Sequence, residues 1–184
     1  MAISIAAVGT LALACVSFSS PAASGTTLPR KVIVPLSAVS QFFPDIDRET
    51  STGRNLLATG NPKATRMVIY ETSDGSKKVT ISVDRFGNSS DASSAYQQAV
   101  EKSQSAPGFK PVSVPTVGQQ AFAGTSSMGA ATHLGLGALD NNLIVGATLA
   151  GCDATPDTTS KLVALARMQD AAAKRAVGPN GRRR

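Results

Sequence analysis

Residues 67–86 carry the pattern that most restricts the fold of this chain. Apolar and polar side chains alternate strictly from residue 79 to residue 84. Because successive side chains of a β-strand point to opposite faces, this alternation predicts a strand with one face in a core and the other in water. An apolar run at 67–72 precedes it, and Asp74-Gly75 between the runs is typical of a tight hairpin turn. A half-buried antiparallel sheet is therefore the expected scaffold.

The second half of the chain predicts more strands and two helices. Strands are expected at 119–125, 132–139 and 143–149, and the Asp-Asn-Asn turn between the last two tolerates left-handed backbone. Alanine-rich faces at helical spacing predict helices over 92–105 and 155–176. The expected fold class is α+β: a mostly antiparallel sheet of five or six strands with Ala-rich helices packed on one face, after an N-terminal signal segment.

Between the N-terminal segment and the first hairpin, the sequence predicts a short helix and a long loop. Prolines bound the helix at 35–44, and Phe42 and Phe43 supply its packing contacts. The polar stretch from Asp45 to Lys63 is expected to be an ordered loop or lid, with Leu56-Leu57 as its only anchor.

The first 25 residues contain no charged side chain. Their apolar stretch, residues 3–16, is shorter than the ~20 residues that a membrane-spanning helix needs, and a run of small residues follows it. This order predicts a signal peptide at 1–24, cleaved before Gly25, and therefore an exported protein of the periplasm or cell surface. The segment departs from the usual signal pattern because it opens without Lys or Arg.

Cys15 leaves a second form of export open. The segment Ala12-Leu13-Ala14-Cys15 has the chemistry of a lipoprotein signal, with the leucine one place away from its usual position. Lipidation there would attach the protein to a membrane through Cys15. Otherwise Cys15 is an apolar residue of a cleaved signal. In both cases Cys152 has no partner within the chain, so we expect no internal disulfide.

Residues 25–177 are expected to form a single α+β domain, and residues 178–184 a disordered basic tail. The formal net charge is +6, and three of the positive charges are the terminal residues 182–184. The other cations are scattered among acids. No basic stripe of the kind that neutralises many phosphates is present, so we expect no nucleic-acid partner.

The sequence carries no catalytic or metal-binding motif. His133 is the only histidine, and neither a second histidine nor paired cysteines accompany it. We therefore expect no metal and no cofactor, and an enzyme only if His133 works with a nearby Ser or Asp. If a ligand binds, we expect it in a cleft between the sheet and the 45–63 loop. The polar groups predicted to face that cleft are Arg66, Tyr70, His133, Asp45, Asp47 and Glu49.

The order of segments also resembles a known group of small domains. An apolar segment and a hairpin precede a helix that contains Ala95-Tyr96, and residues 117–122 (Val-Gly-Gln-Gln-Ala-Phe) precede a hairpin near 141–145 and a final Ala-rich helix. This arrangement is similar to exported domains of bacterial envelope lipoproteins and of some receptor-kinase sensor modules. It covers most of the mature chain, but the lone Cys152 departs from disulfide-stapled members.

The resemblance implies a non-enzymatic binding or sensing domain whose partner is a small molecule or an envelope protein. It carries no catalytic residue across to this chain. Two other functions remain open at this point: a secreted hydrolase that uses His133, and a structural or adhesion component of the envelope. The sequence leaves the oligomeric state open.

Overall fold

The computed structural model describes residues 26–128 and 131–177 of the 184-residue chain. The expected signal peptide (1–24) with Cys15, and the expected basic tail (178–184), lie outside the described residues and stay predictions. Among the helices of the described segments, none combines the length and the apolar character that a bilayer crossing requires.

Within the described residues, an eight-stranded sheet forms the centre of the fold. Its strands are β1 (Thr26–Thr27), β2 (Arg48–Gly53), β3 (Ala64–Glu71), β4 (Lys78–Arg85), β5 (Lys110–Val112), β6 (Gln120–Met128), β7 (Ala131–Asp140) and β8 (Leu143–Ala150). The strand order is β1-β3-β4-β8-β7-β6-β5, and β1 and β2 follow one another along the outer edge of β3. Only the β1–β3 pair is parallel among the described strands.

The predicted α+β class and the mostly antiparallel sheet are confirmed, with eight strands in place of five or six. The additional strands are β1, β2 and β5. All three are short or polar: β1 has two residues, β5 has three, and β2 reads Arg-Glu-Thr-Ser-Thr-Gly. None of them contains the apolar alternation that revealed the others, because edge strands bury little side-chain surface.

Helices pack against both faces of this sheet. After a 3-10 turn (Arg30–Val32), the helices are α1 (Leu36–Val39), α2 (Ser89–Gln104) and α3 (Pro156–Val177). The side chain of Asn88 caps α2 by accepting a hydrogen bond from the backbone N–H of Asp91 at 2.8 Å. The hydroxyl of Thr155 accepts one from the backbone N–H of Thr158, at 3.1 Å, in the first turn of α3.

The larger core lies between α3 and one face of the central strands. Its buried side chains on the sheet are Val68, Tyr70, Val79, Ile81, Val83, Leu134, Leu136, Ala138, Leu143, Val145, Ala147 and Leu149. Leu162, Leu165, Ala166 and Ala173 of α3 belong to the same cluster. This is the inward stripe expected from the 3.6-residue period of the helix.

The smaller core lies on the opposite face, at one end of the sheet. Ala92, Ala95 and Tyr96 of α2 pack there with Phe86 and Leu139. Leu139 points away from the α3 side because it alternates with Ala138 along β7. The two long helices therefore lie on opposite faces, and the fold differs in this respect from the expected single helical layer. No helix covers the rest of the sheet face on which α2 packs.

Residues 45–63 differ from the predicted loop in two ways. Part of the segment is strand β2, and the leucines proposed as its anchor are exposed: Leu56 by 74% and Leu57 by 79%. The prediction that these leucines anchor the loop is therefore wrong. Instead, the buried side chain of Asn55 and the buried Pro62 attach the segment to the fold.

Candidate functional site

The uncovered part of the sheet is the floor of a groove with a volume of about 550 Å³. Directly paired residues of antiparallel strands share a face, so the strand register defines the rows of this floor. The two central rows are Ser82, Gly146, Gly137 and Phe122, and Thr80, Thr148, Gly135 and Gly124. Small residues thus occupy nearly every position and leave the sheet open to a ligand.

Gly135 marks the point where the floor is most open. A Cβ atom at this position would have Thr148 Oγ1, at 3.7 Å, as its only neighbour within 4 Å. At Gly124 and Gly137, by contrast, a Cβ atom would overlap the rings of Phe109 and Phe122. Those two glycines accommodate aromatic side chains of the protein, whereas Gly135 faces free space.

Two segments form the walls. The C-terminal half of α2 contributes Tyr96, Ala99, Lys102 and Ser103, and the end of the 45–63 segment contributes Asn55, Leu57, Ala58 and Thr59. Ala106 and Phe109 extend the wall beyond α2. The groove therefore lies between the sheet and the second half of the 45–63 segment, close to where the sequence predicted a cleft.

Several hydroxyl groups in the groove have no partner in the described part of the chain. They belong to Thr80, Ser82, Tyr96, Ser126 and Thr148. Burial raises the pKa of the Tyr96 hydroxyl, which therefore stays protonated at neutral pH. A hydroxyl can both donate and accept a hydrogen bond, so this set suits polar groups of an uncharged ligand.

Asp84 lies at the α2 end of the groove and is only 5% exposed. The amide nitrogen of Asn55 donates to both carboxylate oxygens, at 3.0 and 2.9 Å. Burial nevertheless raises the pKa of Asp84 to about 7, because removal from water disfavours the charged form more than the Asn55 hydrogen bonds favour it. The carboxyl group therefore titrates near neutral pH.

Asn55 also determines the course of the groove wall. Its backbone N–H donates to Thr65 Oγ1 at 3.0 Å, and its side-chain oxygen accepts from the backbone N–H of Leu57 at 3.1 Å. The wall segment and the buried carboxyl group of Asp84 are thus connected through one side chain. Protonation or deprotonation of Asp84 changes the hydrogen bonds that its carboxyl group accepts from Asn55.

His133 lines the other end of the groove, directly opposite Ser126 on the neighbouring strand. Six residues along the strands separate its row from the row of Asp84, which corresponds to about 20 Å. Across the described residues, no hydrogen bond joins His133 to Ser126 or to a carboxylate. The groove therefore does not present an assembled Ser-His-Asp arrangement.

The structure places Tyr70 and Glu49 together in a network outside the groove lining. The buried Tyr70 hydroxyl donates to the carbonyl of Val34 at 2.5 Å and accepts from Arg30 Nη2 at 2.6 Å. The same guanidinium pairs with Glu49 at 2.6 Å. Arg66 donates from Nε to the carbonyl of Leu28 at 2.5 Å. These contacts connect the N-terminal segment to β2 and β3.

The remaining predicted residues lie on the outer surface near the first hairpin. Asp45 pairs with Lys77 at 2.5 Å, and Asp47 accepts a hydrogen bond from Ser73 Oγ at 2.5 Å. Of the six predicted site residues, only His133 lines the groove. Ligand binding by the other five stays a prediction.

A second depression, of about 560 Å³, lies between α3 and the segment at 112–115. Arg167 supplies the charge in its lining and donates to the carbonyl of Thr116 at 3.4 Å. This lining lacks the cluster of unpartnered hydroxyls that distinguishes the groove over the sheet, so the latter is the candidate site.

Comparisons with known proteins agree with the fold. No protein-family model matches the sequence, and no match to a curated protein was found. The extracellular domain of PknH from Mycobacterium tuberculosis is structurally similar, with a TM-score of 0.57 and 11% identity over 76% of this chain and 93% of that chain. LpqN from the same organism, described as involved in cell envelope biogenesis, aligns with a TM-score of 0.36 and 16% identity over 69% of this chain and 79% of its own.

The resemblance predicted from the sequence is thus confirmed as a weak one. At 11% identity, the PknH domain establishes the fold that the two chains share. A GTP-binding regulator from Thermotoga maritima is also among the structures found, with a TM-score of 0.40 and 9% identity.

Proposed function

We propose that this chain is an exported, non-enzymatic binding domain of the cell envelope, and that its groove binds an uncharged small molecule with an apolar body. The observation that carries the proposal is the open floor around Gly135, bordered by unpartnered hydroxyl groups. The charge-free N-terminal segment and the fold shared with an extracellular domain support the location.

The chemistry of the groove favours an uncharged ligand. Its central rows contain only Gly, Ser, Thr and Phe, and its ionisable groups lie at the ends and the rim: Asp84, His133 and Lys102. A charged group placed on this floor would lose its hydration without gaining an ion pair. A molecule with an apolar body and a few hydroxyl or carbonyl groups would bury apolar surface and use the free hydroxyls.

The alternative functions have less support. A hydrolase would need a base that activates a nucleophile, yet His133 has no hydrogen-bonded serine or carboxylate among the described residues. An adhesion component would favour a broad exposed apolar patch, whereas the exposed large apolar side chains of the described chain are Leu56 and Leu57.

The test fills the groove without disturbing the fold. In Gly135→Val, the new side chain enters free space in a strand, where a β-branched residue is favourable. The probe is N-phenyl-1-naphthylamine, an uncharged fluorescent molecule. We expect it to bind the parent protein and to bind Gly135→Val at least about tenfold more weakly, since most of its buried contact would be lost.

The matched control is Gly53→Val. Gly53 is also a strand glycine with nothing within 4 Å of an added Cβ, but it lies on β2 outside the groove. This variant should bind the probe as the parent does. Equal binding by the parent and Gly135→Val, with both proteins folded by circular dichroism, would refute the groove as the binding site.

A further inference from the structure

Leu56 and Leu57, together called the leucine tip, form an exposed apolar step at the rim of the groove. They are 74% and 79% exposed and are the exposed large apolar side chains found in the described residues. Leu57 also lines the groove. A single exposed leucine is ordinary on a protein surface, but two adjacent ones at the mouth of a groove form a contact surface.

The fold holds the leucine tip in this position. On its N-terminal side, the Asn55 side chain bonds Asp84 and accepts the backbone N–H of Leu57. On its C-terminal side, Gly60 adopts a positive φ of 71° and lies so close to α2 that an added Cβ would be 2.9 Å from that of Ala95. Both ends of the turn are attached, so the leucines are presented outward by a fixed backbone.

The segment that carries the tip is basic. Residues 54–63 contain no carboxylate, and their exposed cation is Lys63, because Nε and Nη2 of Arg54 are buried. Lys102 contributes another cation from the α2 side of the groove. An apolar tip flanked by cations matches the boundary between the acyl chains and the anionic headgroups of a bilayer.

The described chain also begins beside this segment. The backbone N–H of Thr26 donates to the carbonyl of Lys63 at 2.9 Å. The 25 residues that precede Thr26 carry no charge and include the apolar stretch 3–16 and Cys15. Any membrane attachment made by those residues would hold the side of the fold that contains Lys63 near the lipid.

We propose that the leucine tip inserts into a lipid bilayer that carries anionic headgroups, so that the mouth of the groove faces the membrane surface. This contact goes beyond the proposed function and does not depend on it. If both hold, an apolar ligand reaches the groove from the lipid phase.

The absence of tryptophan from the chain provides a local test. A Leu57→Trp variant of the full chain contains one tryptophan, at the tip. With vesicles of phosphatidylglycerol and phosphatidylcholine, we expect its emission to shift to the blue and to be quenched by brominated acyl chains. The control is Ser160→Trp, which places the tryptophan on an exposed position of α3, on the other face of the sheet. Its emission should not change.

This design separates the tip from the N-terminal segment, because that segment is the same in both variants. An unchanged emission from Leu57→Trp on bound vesicles would overturn the proposal. So would an equal shift in Ser160→Trp, or a shift that depends on protein concentration without vesicles, which would indicate a second copy as the partner.

A second measurement uses the double variant Leu56→Ser/Leu57→Ser. In vesicle flotation, we expect roughly tenfold weaker binding than for the parent, because the apolar surface that enters the lipid is lost. Flotation equal to that of the parent would contradict the proposal. The groove hypothesis is tested separately, by comparing how the parent and Gly135→Val bind the naphthylamine probe in the absence of vesicles.

Discussion

The stability of the protein should fall as pH rises from 5 to 8, because Asp84 is buried. Its pKa is about 7 in the folded protein and 3.8 when unperturbed. The folded state therefore holds a proton in the interval between these values that the unfolded state has lost. By linkage, the free energy of unfolding decreases with pH throughout this window and is fully reduced above pH 7.

The size of the effect follows from the shift. The difference of 3.2 between 7 and 3.8 corresponds to about 4 kcal/mol at 1.36 kcal/mol for each pKa unit. Between pH 5 and pH 8 the expected loss is about two units, or about 2.7 kcal/mol. The variant Asp84→Asn has no charge to bury, so its stability should lack this decrease.

At pH 8 the Asp84→Asn variant should be the more stable protein. The gain is about 3 kcal/mol, after about 1 kcal/mol is subtracted for the hydrogen bond from Asn55 that an amide nitrogen cannot accept. Near pH 3, where the aspartic acid is mostly neutral in both states, the advantage should disappear. Urea unfolding followed by far-UV circular dichroism measures these differences.

Asp74→Asn is the matched control. Asp74 is exposed, and hydrogen bonds from Thr72 and Ser76 lower its pKa to about 2. Its contribution is complete above the unfolded pKa and is lost only as the pH falls through about 2, so this variant should retain the decrease between pH 5 and 8. A parent protein with equal stability at pH 5 and pH 8, or a carbon-13 NMR titration of Asp84 near pH 4, would refute the reasoning.

Two further substitutions should destabilise the fold. Gln169→Leu leaves the backbone N–H of Val34 and the carbonyl of Val32 without their buried partner, at a cost of about 2–4 kcal/mol in urea unfolding. Gly118→Ala should cost about 2 kcal/mol in the same assay, since φ is +64° and the new Cβ would lie 2.6 Å from the carbonyl oxygen of Leu139.

Matched variants check these two predictions. Gln97→Leu changes an exposed glutamine of α2, and Gly135→Ala adds a Cβ in free space. Both should stay within about 0.5 kcal/mol of the parent. Equal losses in Gly135→Ala and Gly118→Ala would show that the backbone angle and the close carbonyl do not determine the cost.

The sequence predicted the strands in which buried and less buried side chains alternate. Residues 79–84 alternate because one row meets α3 and the other meets the groove, and this contrast is visible in the residue types. Strand β2 was not predicted because all six of its residues are polar or glycine and it lies at an edge. Its pairing depends on the neighbouring strand β3 and leaves no trace in its own pattern.

The groove depends on how distant segments are placed. Asp84 occupies a polar position of its strand, which predicted contact with water, but the turn at Asn55 covers it. Leu56-Leu57 look like an anchor in a polar stretch, because hydropathy does not show on which side of the backbone a turn presents its side chains. A strand glycine such as Gly135 allows another group to approach the backbone closely, but the residue type alone does not show which group approaches.

Two outer strands of the sheet carry features that affect pairing with other chains. Strand β5 contains Pro111, which lacks an N–H group, and β2 has an irregular register between Glu49 and Ser51. Both features interrupt the row of free backbone groups that another chain could pair with at these strands. We therefore expect β5 and β2 to disfavour edge-to-edge pairing between two copies of the sheet.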